Sequence, residues 1–382
     1  MNIKENTTAQ ERIIYLREYI IGLMEDRKRA ELYKEYSAIF PQLEPQDVFG
    51  AFSGLMKDGV QVNDLLDVLG KVIKVLSGNL PHSILDDFPE GSFLYTLMQE
   101  NLDAAMLLER YKAKFRDDDN LNTAKLLTQL LEELNGYEKH LLKKENILFP
   151  FMEKKDAIYE GFGIMWALHD ELRGFLKAVK KRAADPETDA DELYKLIGQL
   201  YFLVFGLIEK EEILMFPAVA KFFDEKEFED MLQQAAEYDG TVLDTVSDFP
   251  GLEFDSPTGK LTFEQLGLIL NALPVDISYV DENNILRYFN SPPERIFHRS
   301  PASVGRNVRN CHPPKSYDAV DKIIEDFRSG ASNRESFRIR LKGRLILIEY
   351  YAIKDSRGNY RGVLEASRDI TDIRELEGEK RL

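Results

Sequence analysis

The phrase Lys144-Glu145-Asn146-Ile147-Leu148-Phe149-Pro150 returns further along the chain as Lys210-Glu211-Glu212-Ile213-Leu214-Met215-Phe216-Pro217. Both copies lie inside long stretches whose apolar residues recur at helical spacing. Four such stretches follow one another: Phe93 to Phe115, Asn122 to Glu153, Gly163 to Arg182, and Asp191 to Phe223. The turn and charge clusters RDDDN, KKDAIYEGFG and AADPETDA separate them, and connections this short favour antiparallel neighbours in an up-down four-helix bundle. The repeat falls in the second and fourth helices. It therefore predicts a pseudo-symmetric bundle with Glu145 and Glu211 at similar depths.

The flanks differ from this middle region. Residues 1–79 read as a separate helical module, with ERIIYLREYIIGLM, PQDVFGAFSGLMKDGV and VNDLLDVLGKVIKVL as amphipathic runs broken near Pro41, Pro45 and Gly59. Asn63 or Asp64 is a candidate cap for the last run, and SGNLPHS is a linker, so the bundle is expected over 80–246. Pro and Gly mark a second linker at 247–259. From 260 to 382, after the helix start LTFEQLGLILNALP, β-branched and aromatic runs predict an α+β domain with an antiparallel sheet. Asn283-Asn284 and Lys342-Gly343 suit two-residue hairpin turns, Asp355 to Asn359 a longer one, and residues 293–330 are expected to hold short helices.

At 382 residues the chain is too long for one ordinary core and is expected to be multidomain. Its formal charge of −17 argues against sequence-independent nucleic-acid binding, which needs clustered Lys and Arg to displace counterions, and disfavours anionic membranes. No run of about 18 apolar residues and no leader-like N-terminus is present, so a cytoplasmic location is expected. The single cysteine excludes an internal disulfide or a multi-cysteine metal site, so any metal must use His and carboxylate.

With Lys-Glu-x-Ile-Leu leading to Phe-Pro in two helices and GIMWALHDELR in the third, the chain resembles the hemerythrin-like HHE cation-binding family. The subgroup it resembles joins an N-terminal helical module of unknown function to a C-terminal PAS domain. The resemblance implies an all-α N-terminal module and a hemerythrin-like bundle followed by the PAS domain. It also implies a buried pair of iron ions that can bind oxygen or nitric oxide. Carried over position by position, His140 and Glu145 match the second helix, His169 the third and Glu211 the fourth. Where the subgroup opens its first helix with His-Pro this chain has Ser92-Phe93, and no histidine lies near Gly206 or Leu207. Glu100 is a substitute ligand, with Glu171 and His82 behind it. The depleted set leaves iron or manganese open as cofactor.

Other readings stand beside these. A lone histidine on an amphipathic helix is usually a satisfied core residue, and Glu145 or Glu211 suits a Lys-Glu surface face. His140 and Glu145, five apart, point about 140° from each other on a regular helix, so both reach one ion only where the helix deviates. The aromatics Tyr201, Phe202, Phe205, Phe149, Phe151 and Trp166 read as core.

LILNALPVDISYVDENNILRYFN resembles the opening of a PAS domain, and GVLEASRDITDIRELEGE its last strand with an Asp-Ile-Thr exit into a helix. VGRNVRNCHPPKS resembles the same subtype and nominates Cys311 and His312 as ligand-contacting residues, although packing or local capping explains them as well. Haem or flavin there is disfavoured, and His298 reads as surface. The expectation is a cytoplasmic sensor or signalling protein, not an enzyme, responding to a metal, a diatomic gas or a small molecule. Its output is expected through a homodimer or partner protein docked on the PAS domain. The alternatives are a metal-free scaffold dimerising through that domain and, last, a di-iron oxidase. No nucleophile elbow, P-loop, dinucleotide fingerprint or His-Glu-x-x-His helix supports an enzyme.

Overall fold

The structure, a computed structural model, describes residues 6–118, 122–156, 162–239, 253–376 and 378–379. Parts of the RDDDN and KKDAIYEGFG connections and of the 247–259 linker lie outside the described residues. The chain forms two compact units, Met1–Ala235 and Ala236–Leu382.

The first unit opens with α1 (Ala9–Met24), α2 (Arg29–Tyr36), α3 (Pro45–Lys57) and α4 (Val62–Leu76). Thr8 and Glu11 close a capping box on α1, and Pro45 sits at the first position of α3, where a missing N–H costs nothing. Asp47 is buried. It accepts from the Glu44 backbone N–H at 2.8 Å and from Arg12 at 2.6 and 3.2 Å, fastening α1 to α3. The cap of α4 is Gln61, ahead of the expected Asn63 or Asp64, which lie inside the first turn, and its side chain makes no capping bond.

The bundle comprises α5 (Phe93–Arg116), then α6 (Thr123–Leu134), α7 (Tyr137–Lys143) and α8 (Phe149–Lys155), then α9 (Gly163–Ala183), and finally α10 (Ala190–Lys210) with α11 (Phe216–Phe222). Contacts run α5 to α6, α6 to α9, α9 to α10 and α10 back to α5, which is the expected four-helix ring. A further helix, α12 (Glu225–Ala235), packs on α5. The N-terminal helices dock on this ring, α4 against α9 and α3 against α11, with Phe49 and Phe162 edge to face at 5.6 Å. Residues 1–79 and the bundle thus share one compact unit. Of the aromatics read as core, Phe149 is fully buried, but Phe202 is 79% exposed and belongs to the surface.

The second and fourth bundle helices are not regular. Each is interrupted by a π turn, Lys144–Leu148 and Glu211–Met215, and each π turn ends at a Phe-Pro pair. Proline has no N–H to donate four residues back, and its ring clashes with that carbonyl in a regular helix. Widening the preceding turn to i→i+5 bonding removes the conflict, and the Phe149 and Phe216 N–H groups bond Lys144 O and Glu211 O. Matched from the Phe-Pro end, the residues that open the two turns are Lys144 and Glu211.

The second unit contains a hairpin of β1 (Glu253–Ser256) and β2 (Gly259–Thr262), where the sequence suggested linker, then α13 (Phe263–Ala272). A five-stranded antiparallel sheet follows, made of β3 (Asp276–Asp281), β4 (Leu286–Phe289), β5 (Arg334–Leu341), β6 (Arg344–Lys354) and β7 (Tyr360–Asp369) in the order β4-β3-β7-β6-β5. Lys342 and Gly343 take φ of 49° and 84°, giving the expected two-residue hairpin turn, and Asn284 at 65° serves the β3–β4 turn. Single turns at 301–303, 308–311 and 314–316 lead into α14 (Tyr317–Ser329), whose Ile324 and Phe327 pack on Val363 of β7. Gly362 holds φ of 134° with no room for a side chain, since a Cβ would lie 2.0 Å from Val280 O. The helix expected after Thr371 is a single 3-10 turn, Asp372–Glu375.

Candidate functional site

The two π turns face each other across the bundle and bring every first-choice residue into one buried polar layer. His140 and Glu145 are five positions apart, and the π turn that begins at Lys144 departs from the 140° of a regular helix just where Glu145 lies. Both side chains therefore point inward, exposed by only 1% each. His169 and Glu211 are fully buried, while Glu100 is the rim residue, 25% exposed.

His140 spans two carboxylates: Nε2 lies 2.9 Å from Glu211 Oε2, and Nδ1 lies 3.0 Å from Glu100 Oε2. Tyr137 stacks on the imidazole at 4.7 Å and donates to Asn101 Oδ1 at 2.6 Å, and Asn101 in turn donates to Glu211 Oε2 at 2.9 Å. The other oxygen of Glu211 accepts from Lys144 Nζ, and both of those side chains are fully buried. Burial works against the Glu211 charge, yet Lys144 and His140 hold its carboxyl far below the usual range. Lys143 donates to Glu100 Oε1 at 2.7 Å, and together with His140 it outweighs burial and lowers the Glu100 pKa.

The second half of the layer centres on Glu145. His169 Nδ1 lies 2.7 Å from its Oε1, and the Arg173 guanidinium donates to both oxygens at 2.8 and 3.0 Å while its Nε reaches Glu138 at 3.0 Å. This two-pronged contact is the strong form of an Arg–carboxylate pair. His169 is pushed well below its ordinary pKa, by burial first and by the nearby Lys144 charge next. Its Nε2 is buried without a partner.

The secondary candidates do not join this layer. His82 is half exposed and meets Glu212 at 3.3 Å, and Glu171 is exposed. Lys144, Arg173, Lys143 and Asn101 were missed, because lysine and arginine inside a charged phrase read as surface. For Lys144 the signal was spacing, since it follows His140 by four residues and shares its face on a regular helix.

The positions that lack histidine have other uses. Ser92 caps α5 by accepting from the Tyr95 N–H at 3.3 Å, and Lys210 donates to Gly206 O at 2.6 Å. On the Glu100 side a cavity of about 220 Å³, lined also by Tyr137 and Asp103, reaches His140.

Within the sheet domain a polar row crosses the inner face. Ser278 pairs with Glu365, and Glu365 with Tyr350. Arg299 reaches Glu365 at 3.3 Å and lies against Cys311, while its Nε and the Ser367 hydroxyl are buried without partners. His312 adjoins the same charges. Its pKa is pushed down to about 4, by burial first, with Glu365 opposing and Arg299 and Arg306 adding. Cys311 Sγ donates to Asn307 O at 3.7 Å. Cys311 and His312 therefore do share one neighbourhood, whereas His298, exposed, sits beside Tyr238 at 5.4 Å.

Comparisons agree with this architecture. Residues 92–219 match the hemerythrin HHE cation binding domain, and residues 266–371 match a PAS domain. No curated protein matches the chain. Solved structures it is similar to include a C-terminal domain from Streptococcus mutans, at 37% identity over 33% of this chain and 98% of that one, TM-score 0.32. A PAS domain from Colwellia psychrerythraea has 17% identity over 28% and 97%, TM-score 0.24. A sensory box sensor histidine kinase from Vibrio cholerae has 18% identity over 28% and 89%, TM-score 0.23.

The hemerythrin match implies a bound cation, which the residues present can be tested against. Among the described residues no three or more His, Cys, Asp or Glu side chains are grouped so as to hold a metal ion. Both oxygens of Glu211 and both of Glu145 accept from internal donors, and each His140 nitrogen faces a carboxylate. Only His169 Nε2 remains unpartnered. The set as arranged does not fit a metal pair. No helix among the described residues is long and apolar enough to cross a membrane. The two domain types together support a sensor or signalling role, and the chain carries a hemerythrin HHE cation-binding domain followed by a PAS domain.

Proposed function

We propose that this protein is a non-catalytic cytoplasmic sensor whose PAS domain takes a small organic molecule bearing a carboxylate or carbonyl group. The observation that carries this reading is the pair of buried donors without partners, Arg299 Nε and Ser367 Oγ, flanking Glu365 on the inner face of the sheet. Buried donors left unmade are costly, and an acceptor-bearing ligand is what would satisfy them. Arg299 supplies the charge that favours a carboxylate, and Glu365 and Tyr350 set the polarity beside it. Cys311 and His312 lie beside the same charges, with the His312 pKa pushed down to about 4 by burial first. Binding there would bias the packing of the turns at 301–316 on the sheet, and a signal requires only that the ligand prefer one of two such packings.

The experiment is a thermal-shift series on the full chain with mono- and dicarboxylates and their amides, together with mass spectrometry of small molecules released on denaturation. The expected result is stabilisation by at least one acceptor-bearing compound, or its release from the purified chain, with the effect lost in Arg299→Ala and Ser367→Ala variants. If no compound stabilises the chain and none is released, or if both variants respond as the wild type does, the reading is wrong.

A further inference from the structure

The buried layer of the bundle is charged and built around amines and a guanidinium group. We infer that the bundle supplies its own cations: Lys144 and Arg173 perform the electrostatic work for which a hemerythrin-type bundle uses metal ions, and the fold is metal-independent.

The argument rests on which atoms meet. A buried carboxylate needs a positive partner, because an unpaired charge in a core is expensive. Glu211, fully buried, is given the Lys144 ammonium on one oxygen and His140 with Asn101 on the other. Glu145 is given the Arg173 fork on both oxygens and His169 on one. Lys144 opens its π turn at the position matched in the other π turn by Glu211, so the pseudo-symmetry that would set two like ligands opposite each other sets a cation opposite an anion instead. The positions where histidine is missing fit the same picture, since Ser92 serves as a helix cap and the Lys210 amine fills the space at Gly206. The imidazole nitrogen left over, His169 Nε2, is a single donor atom and makes no site alone.

This predicts a latent site. Lys144→Ala removes the ammonium while leaving His140, Glu211 and Glu100 in place, and the cavity on the Glu100 side gives access to them. The test uses the full chain purified without chelator. Metal content is read by elemental analysis, and thermal unfolding is followed by the fluorescence of Trp166, the only tryptophan, with added chelator, Mn²⁺ or Zn²⁺.

For the wild type the inference expects well under about one metal ion per two chains and a melting temperature that neither chelator nor metal changes by more than about 1 °C. Lys144→Ala is expected to melt several degrees lower and to recover saturably with Mn²⁺ or Zn²⁺. Lys144→Arg, which keeps the charge, is expected to gain nothing from metal. Stoichiometric metal in the wild type, lost together with stability in chelator, overturns the inference, and this measurement stands even if Lys144→Ala fails to fold. A folded Lys144→Ala chain that no metal stabilises overturns the claim that the ammonium fills a cation position. None of these outcomes bears on the PAS ligand, which is read by different variants.

Discussion

Replacing Glu211 with Gln removes one charge from the centre of the buried layer and leaves Lys144 without its counterion. The cost can be bracketed from the contacts. Three donors, from Lys144, His140 and Asn101, reach the carboxylate, and each loses an ionised acceptor. At about 1 kcal/mol per bond this sums to about 3 kcal/mol. The ceiling is set by Lys144 itself, which can always escape by giving up its proton. From an ordinary amine pKa near 10.4 that costs at most about 5 kcal/mol at pH 7. Glu211→Gln is therefore expected to lose about 3 to 5 kcal/mol, in keeping with breaking one side of a buried pair.

Adding Lys144→Met removes the stranded charge, and His140 and Asn101 can still donate to the Gln oxygen. The double variant is expected to recover about 2 kcal/mol or more of the loss. Urea unfolding followed at Trp166 reports on this unit, because the tryptophan lies on α9. A Glu211→Gln loss below about 1 kcal/mol, or a double variant no better than the single, would refute the buried ion pair.

Two further outcomes concern the PAS domain. Gly362→Ala combines a left-handed φ with a Cβ placed against Val280 O, so it is expected to cost more than about 3 kcal/mol; calorimetry should find the PAS transition lowered or absent and the bundle transition unmoved. His312 has a folded pKa of about 4, below its unfolded value, so its contribution is complete above pH 6.5 and drains away as pH falls toward 4, by up to about 3 kcal/mol. The wild type minus His312→Gln difference in PAS stability should follow that slope, and a difference independent of pH between 7 and 4 would show the imidazole is not held neutral.

Much of this was legible in the chain. Helical spacing gave the four bundle segments, because an amphipathic stripe needs no knowledge of its partner. The Lys342-Gly343 turn was readable because few residues tolerate positive φ, whereas Asn283-Asn284, expected as a two-residue turn, sits in a longer connection between Asp281 and Leu286 with Asn284 alone of the pair at positive φ. The Phe-Pro repeat also pointed to the right carboxylates, Glu145 and Glu211. What it did not reveal was the phase of the helix just before it. Reading with α-helical geometry throughout sets His140 and Glu145 apart, whereas the π turn that begins at Lys144 leaves both inside, and Lys144, four residues after His140, shares its face. Arg173 was invisible for another reason: its burial depends on a carboxylate contributed by a different helix, a pairing that no local pattern encodes. The β1–β2 hairpin was missed because its four-residue strands are too short and too polar to stand out from a linker.

The π turns also divide each of these two helices into parts written in different reading frames. A π turn holds one residue more than the same rise of α-helix, so deleting a single residue from 144–148 would give a smoother, better hydrogen-bonded helix. That same deletion would leave Phe149 and Met152 facing the core they fill, because the lost residue and the lost widening cancel, but it would take a side chain of the turn away from the polar layer. The surplus residue therefore acts as a coupling between two independently adjustable surfaces. Upstream of it the sequence can be altered to suit the polar layer, downstream to suit the apolar packing, and neither change disturbs the angular setting of the other.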